Sequence, residues 1–478
     1  MKEYDLIAIG SGSAMSIVDA MIQQNPDFRI AVIDKDEPGG ICLTRGCIPT
    51  KILTYSADMV RNIEKAEEFG IEARIEKIDF QRVMERMRNI IYPDITQIGE
   101  GLSHSENIDY YRDTAEFVAP YMLKVANETI TSKFIILGTG SKPKIPPVKG
   151  LEDVGYHTSD TILKIDRLPK SVAIIGGGYI AAEYGHFFSA MGSDVTIIGR
   201  NPQFLPEEEP EVSALAKREL QKHMRILTNH EVRSAEKLST DQKKLIAVNR
   251  SNDEEVEVKA EEILVAAGRG SNTDILHPEK GGIEVDKGGW IVVNEHLETS
   301  QPNIWALGDA NGKHLFKHVA NYESTLVYYN AILKSKLKVD YHAIPHAVFT
   351  HPEIASVGLR EKEAREKYGD DKILIGIHRY QDTGKGDAMG VEDYFAKVIV
   401  ERETMKILGA HIIGPQASVL IQEVINVMYT SEQSAKPIIS GMHIHPALSE
   451  VVERAFRSLM PPEHYHHLIE HHYRLPTS

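Results

Sequence analysis

A chain of 478 residues is too long for one hydrophobic core and divides into two to four domains. Its 42% hydrophobic and 26% charged residues are those of an ordinary globular protein, and its formal charge of −15 argues against nucleic acid, which requires basic patches. No apolar run reaches membrane-spanning length, no secretory leader precedes the first strand, and two cysteines five positions apart are not a secreted disulfide framework, so a cytoplasmic enzyme is expected.

Tyr4 to Ile9 is a short apolar run and reads as a buried parallel strand. Gly10-Ser11-Gly12-Ser13-Ala14-Met15 follows and opens a helical pattern. It is a G-x-G-x-x-G turn with Met15 in place of the third glycine. A second strand, Ile30 to Ile33, ends in Asp34, placed to accept hydrogen bonds from a ribose. The glycines let the backbone approach a pyrophosphate at the helix N-terminus. Met15 is expected to loosen or shift the helix–strand contact without abolishing binding.

The stretch Gly39-Gly40-Ile41-Cys42-Leu43-Thr44-Arg45-Gly46-Cys47-Ile48-Pro49-Thr50-Lys51 holds the only two cysteines. If the segment is helical, their spacing points both thiols to roughly one side, and a bridge needs only modest distortion. Two buried structural thiols would be spaced no differently. Gly39 and Gly40 allow close approach of a flat ligand, and Lys51 is a cation that favours a nearby thiolate.

Residues 52–103 read as long, charged, amphipathic helices covering the sheet, and residues 108–131 alternate as in a small antiparallel sheet. Phe134 to Leu137 is a strand ending in the turn Gly138-Thr139-Gly140. Pro143, Pro146 and Pro147 mark a linker. Residues 171–200 then repeat the dinucleotide pattern. Val172 to Ile175 is a strand, Gly176-Gly177-Gly178-Tyr179-Ile180-Ala181 is the phosphate turn, and Ala182-Glu183 continue into a helix. The next strand, Val195 to Ile198, ends in Gly199-Arg200. Two such units mean two dinucleotides. The second unit lacks the acidic strand end, and Arg200 suits a 2′-phosphate. This favours NADPH over NADH, although Gln203-Phe204-Leu205-Pro206 offers no further arginine.

Ile263 to Val265 runs into Ala266-Ala267-Gly268-Arg269 as another strand and turn, and Trp305-Ala306-Leu307-Gly308-Asp309-Ala310 follows. From about residue 341 the strands Ala396–Glu401 and Leu408–Ile413 mix with a helix over Val419–Tyr429. The group His443-Ile444-His445-Pro446-Ala447-Leu448-Ser449-Glu450 has no standard zinc spacing and no cysteine nearby, so no metal is assigned. Pro446 is expected to start the helix carrying Glu450. The tail, with His464, His466, His467, His471 and His472, is expected to form a helix that docks on a dimer.

These motifs, in this order, resemble the pyridine nucleotide–disulfide oxidoreductases over roughly residues 3 to 460. The resemblance implies an α/β fold with two Rossmann-like dinucleotide-binding domains and a C-terminal α+β dimerisation domain. The FAD domain would span 1–145 and 270–340, the NAD(P) domain 146–269, and the interface domain 341–460, with 461–478 as the histidine-rich tail. It places Gly10, Gly12, Ser13, Asp34, Gly40, Lys51, Gly140 and Asp309 on FAD, with Asp309 at the ribityl chain. It places Gly176, Gly178, Tyr179, Ile180, Arg200 and Gly268 on NAD(P), and His318 near the isoalloxazine. Lys51 and Glu183 would form an ion pair beside the flavin, and Tyr179 would cover the flavin until nicotinamide displaces it. Cys47 would hold the charge-transfer thiolate and Cys42 would attack the substrate disulfide. His445, oriented by Glu450, would act as acid and base on the partner subunit's cysteines across a homodimer interface.

Stretches such as Lys317-His318-Val319-Ala320-Asn321 and Gln416-Ala417-Ser418 look more like mycothione reductase than dihydrolipoamide dehydrogenase. The expected function is therefore NADPH-dependent reduction of a low-mass disulfide, with dihydrolipoamide dehydrogenase as the alternative. The tail carries no cysteine, which excludes the second dithiol of mercuric reductases. A non-catalytic flavoprotein sensor is disfavoured by the complete set Cys42, Cys47, Lys51, Glu183, His445 and Glu450.

Overall fold

Two parallel sheets of the same construction dominate the computed structural model, which describes residues 1–239 and 241–473. The first has the strand order Ile304–Ala306, Ile135–Leu137, Leu6–Ile9, Ile30–Ile33, Ile108–Tyr111, every neighbouring pair parallel. The second has the order His157–Thr158, Glu262–Val265, Ser171–Ile175, Asp194–Ile198, Arg225–Leu227, again all parallel. The central strands Leu6–Ile9 and Ile30–Ile33 are buried at every position, as strands covered on both faces must be. Each sheet carries a small antiparallel companion. Ala115–Ala119, Met122–Val125 and Glu128–Ser132 accompany the first, and His230–Ser239, Gln242–Asn249 and Glu255–Ala260 the second. A two-stranded ribbon, Ser141–Pro143 against Arg269–Ser271, joins the outgoing and returning chain between the two units.

The expected run from Tyr4 to Ile9 divides at Asp5. Lys2–Tyr4 pairs with Glu128–Ser132, and the Asp5 carboxylate accepts the Arg29 N–H at 2.9 Å. The alternation over 108–131 also covers two structures rather than one. Ile108–Tyr111 is the edge of the first parallel sheet, and its half-buried residues mimic an antiparallel pattern. The helical region beyond Lys51 consists of Cys47–Glu64 and Phe80–His104, separated by a turn at Gly70 and an extended segment.

The third unit is a five-stranded antiparallel sheet in the order Pro345–Val348, Ile354–Gly358, Ile407–Ile413, Phe395–Glu401, Ile373–Arg379. Helices Ala417–Met428 and Ser449–Arg457 pack on it and close their own apolar core. The helix carrying Glu450 starts at Ser449, three residues after Pro446, so the proline shapes the turn rather than the first helical position. The tail helix Pro462–Leu468 docks on its own chain. Tyr465 is fully buried there and donates to Glu211 at 3.0 Å, while His466 bonds Glu361 at 2.7 Å. Beneath Tyr465 lies Lys397, fully buried and surrounded by Glu209, Glu211 and Glu361. Removing one partner from such a cluster leaves an uncompensated buried charge, which fixes the tail in place. The remaining tail residues, 474–478, lie outside the described residues.

Candidate active site

One cleft of about 1250 Å³ runs from the first glycine turn, past both cysteines, to the second glycine turn. The turns are built alike. Gly10 (φ +100°) and Gly176 (φ +142°) each close a strand where any side chain would collide with a neighbouring carbonyl. A Cβ would sit 2.1 Å from the Gly138 oxygen in the first and 2.1 Å from the Ala266 oxygen in the second. The helices Met15–Gln24 and Tyr179–Met191 start just beyond, with their N-termini at the cleft. Met15 is the first residue of its helix and packs, partly buried, against the core below the sheet. Its side chain is accommodated there without breaking the turn.

Every site residue anticipated for the two nucleotides lines this cleft: Gly10, Gly12, Ser13, Asp34, Gly40, Lys51, Gly140 and Asp309 at one end, Gly176, Gly178, Tyr179, Ile180, Arg200 and Gly268 at the other. Asp34 is already engaged within the chain. Its Oδ2 accepts from the Ser11 N–H at 2.8 Å and the Ser11 hydroxyl at 2.5 Å, and its Oδ1 accepts from the Asp36 N–H. It shapes the loop and keeps its remaining lone pairs for a ribose. Asp309 accepts from the Ser141 hydroxyl at 2.5 Å, and burial raises its carboxyl above the usual range. Gly40 packs on Gly12, where a Cβ would fall 2.7 Å from the Gly12 Cα. Thr139 lines the same end and its buried hydroxyl has no hydrogen-bond partner among the described residues. An orphaned donor beside two close-packed glycines and a helix N-terminus fits a bound dinucleotide such as FAD.

The cysteine segment is not one helix. A short turn, Gly40–Thr44, ends at Arg45, and a new helix begins at Cys47. Arg45 is drawn aside by Asp36 at 2.6 Å and Asp160 at 3.4 Å. The two thiols meet across this break. The hydrogen bond from Cys42, joined by the nearby Lys51 ammonium, draws Cys47 down to about 7 despite the opposing cost of burial. The same bond and burial push the Cys42 thiol well up. Cys47 is therefore the thiolate of the pair. In the reduced protein, iodoacetamide alkylation is expected to accelerate as pH rises through about 7, with the first adduct on Cys47 by peptide mass. The sign for stability follows. Because the folded value lies below the ordinary 9.0, the thiolate's contribution is complete above pH 9 and is lost as pH falls through about 7.

Lys51 and Glu183 form the anticipated ion pair, with both Glu183 oxygens within 2.8 Å of Lys51 Nζ. The pair joins the helix that Cys47 starts to the helix of the second glycine turn. Phe349 completes it: its N–H donates to Glu183 at 3.1 Å, and Lys51 Nζ stands 4.6 Å from its ring centroid. Phe349 was not anticipated as a site residue. It sits in an irregular segment after a strand, where no periodicity shows which way a side chain faces.

His445 and Glu450 are paired as expected, Nδ1 lying 3.0 Å from Oε1. Arg454 and the Ala447 N–H also donate to that carboxylate. The bond from His445, ahead of these two, holds the Glu450 carboxyl below its usual range. The imidazole is 71% exposed, its Nε2 makes no hydrogen bond among the described residues, and neither His445 nor Glu450 lines the cleft. Its neighbours Met442 and Ile444 are exposed apolar residues. His318 bonds the Pro345 carbonyl at 2.8 Å rather than opening into the cleft. Among the described residues no group of three or more His, Cys, Asp or Glu is placed to hold a metal ion, and no helix is long and apolar enough to cross a membrane.

Two glycine-turn domains sharing one cleft with a vicinal cysteine pair define a flavin- and nicotinamide-dependent disulfide oxidoreductase. The chain belongs to the pyridine nucleotide-disulphide oxidoreductase family, whose pattern matches residues 4–331, with the family's dimerisation domain at residues 344–456. It is 37% identical to the mycothione reductase of Mycobacterium tuberculosis over 472 residues, covering 96% of this chain and all of the relative. It is 36% identical to the dihydrolipoyl dehydrogenase of Chlamydia pneumoniae over 470 residues, covering 97% and 99% of the two chains. Among solved structures, the HOCl-induced flavoprotein disulfide reductase RclA from Escherichia coli, in its Cu(II) complex, superposes with a TM-score of 0.84 at 27% identity, covering 96% of this chain and 99% of that one. The family is FAD-dependent, takes electrons from NAD(P)H and acts on sulfur groups.

Proposed function

We propose that the protein is an NADPH-dependent reductase of a low-mass disulfide, similar to mycothione reductase, working as a homodimer. The observation that carries this reading is the single cleft in which Cys42 and Cys47 lie between two dinucleotide turns. FAD would be held by the first turn, Ser13, Gly40 and Asp309, and would supply the two-electron link between nicotinamide and the cysteine pair. The residues of the chain do the sulfur chemistry. Cys42 loses its proton to the exposed Nε2 of His445 of the partner subunit and attacks one sulfur of the substrate disulfide. A mixed disulfide forms, and the departing sulfur takes the proton back from the same imidazole. The Cys47 thiolate then attacks Cys42, closing the Cys42–Cys47 disulfide and releasing the second product as a thiolate, which takes a proton from water. Two NADPH electrons per turn reopen that disulfide. The need for an outside base is physical: Cys47 and burial keep Cys42 protonated, and the only histidine lining the cleft among the described residues is His230, at the Arg200 end.

The choice of NADPH rests on Arg200. It stands exposed at the end of the strand Asp194–Ile198, lines the cleft, and its guanidinium has no carboxylate partner among the described residues. Arg250 reaches the same corner, donating to the Arg200 carbonyl at 3.0 Å. Of the acidic residues lining that end of the cleft, Glu231 is occupied by Arg233 at 2.7 Å. Dihydrolipoamide oxidation with NAD⁺ would use the same sulfur residues in reverse, and this corner argues against it. The deciding experiment compares NADPH-dependent reduction of a panel of low-mass disulfides with dihydrolipoamide-dependent reduction of NAD⁺. Fast NADPH use with one disulfide is expected. Fast NAD⁺ reduction would make the chain a dihydrolipoamide dehydrogenase. Arg200→Ala is expected to raise the KM for NADPH by about 10- to 100-fold, the value of one charge-assisted hydrogen bond, and to leave NADH nearly unchanged.

A further inference from the structure

Four aromatic rings form a column where the second glycine turn meets the cleft. Tyr179 stacks on His346 with centroids 5.3 Å apart and planes 21° apart. His346 stacks on Phe316 at 5.9 Å and 5°, and Phe316 on His318 at 5.4 Å and 12°. The column crosses all three domains. Tyr179 begins the helix of the second dinucleotide unit, His346 lies on the first strand of the antiparallel sheet, and Phe316 and His318 stand at the start of the helix Lys317–Ala331.

His346 is the fixed member of the column. Its Nε2 bonds Glu208 Oε1 at 2.8 Å, and Glu208 Oε2 accepts from the Ser356 hydroxyl at 2.7 Å. Glu208 is fully buried, and the hydrogen bonds from His346 and Ser356 outweigh burial and hold its carboxyl below the usual range. Burial, and next to it the negative charge of Glu208, push the Tyr179 phenol well up. One buried anion therefore fixes the ring on which Tyr179 stacks.

We propose that His346 and Glu208 are positioning residues that latch Tyr179 closed over the nicotinamide subsite, so that their grip sets the affinity for the nucleotide. The inference rests on the reading of Tyr179 as the ring that gives way to nicotinamide. Tyr179 starts a helix whose backbone is fixed by packing, so it leaves by rotating its side chain. Rotation forfeits the stack on His346, and an entering nucleotide has to outcompete it. A ring pair of this geometry corresponds to about a 3- to 10-fold effect on binding.

The test is a double-mutant cycle read by calorimetric binding of NADP⁺, with NAD⁺ in parallel, to the FAD-loaded dimer. His346→Ala is expected to tighten binding about 3- to 10-fold, and the gain is expected to vanish in a Tyr179→Ala background. The sign discriminates, because mere structural damage loosens binding. Weaker or unchanged binding in His346→Ala, or the same gain persisting without Tyr179, would overturn the latch. If Tyr179→Ala alone leaves binding unchanged, the reading of Tyr179 as the yielding ring fails instead. Should His346→Ala not fold, Glu208→Gln keeps the volume, weakens the same bonds and carries the same expectation.

Discussion

Replacing Cys42 with serine is expected to lower disulfide-reductase turnover by about 10⁴-fold or more while FAD stays bound. Serine has no accessible anion at neutral pH, and none of the residues that cradle the dinucleotide depends on the Cys42 sulfur. The partner substitution separates the roles of the two thiols. With Cys47→Ser, Cys42 can still attack the substrate, but nothing resolves the mixed disulfide. The protein should then carry half the substrate on Cys42, visible as a mass adduct removed by dithiothreitol. With Cys42→Ser no such adduct should form. Residue exposure alone would choose the opposite assignment, because Cys47 is the more exposed residue and Cys42 is half-buried. The cleft explains the preference for Cys42. The Cys47 thiolate lies beside Lys51 and Glu183, on the side that leads to the second glycine turn, where electrons arrive. An adduct on Cys47 in the Cys42→Ser protein would reverse the roles. Undiminished turnover in that protein would remove the dithiol from the mechanism.

The site was legible in the sequence where chemistry and backbone geometry coincide. Gly10 and Gly176 announce turns that no other residue fits, and the strands on either side are apolar because both faces are covered. Lys51 and Glu183 were paired from motif resemblance, and the 2.7 Å contact brings them together. What stayed hidden depends on direction rather than type. Ile108–Tyr111 alternates like an antiparallel strand because it is a half-exposed edge, and only the register to Ile30–Ile33 reveals it as parallel. The break between the cysteines falls at Arg45 and Gly46, where a Cβ on Gly46 would lie 2.9 Å from the Ile41 oxygen and the Arg45 side chain turns aside to Asp36, nine positions away. His346 and Phe349, three residues apart, come from one segment and Glu208 from another, and they become a group only when the antiparallel sheet packs against the second dinucleotide unit. The tail was read from composition as a dimer-docking helix. Tyr465, a single aromatic over a buried lysine, anchors it on its own chain.

Mixing two inactive variants should restore activity, and this decides whether His445 works across the interface. His445→Ala is expected to cost about 10² to 10⁴ in kcat, the usual worth of a positioned acid–base group. Cys42→Ser is inactive for a separate reason. In a dimer of one subunit of each kind, one site combines serine with alanine and is dead. The other combines an intact Cys42 from the His445→Ala subunit with an intact His445 from the Cys42→Ser subunit. That site should turn over at the wild-type rate. Random re-association of equal amounts gives half mixed dimers, each with one of two sites working, so about one quarter of wild-type activity is expected. A histidine acting within its own chain gives no recovery at any mixing ratio. The geometry favours recovery. His445 has its Nδ1 fixed by Glu450 and its Nε2 presented outward, it lies outside the cleft of its own chain, and it is flanked by the exposed Met442 and Ile444. An oriented imidazole on an apolar, outward-facing segment of a dimerisation domain has its reactive nitrogen where a second subunit, and not the first, would supply the sulfur.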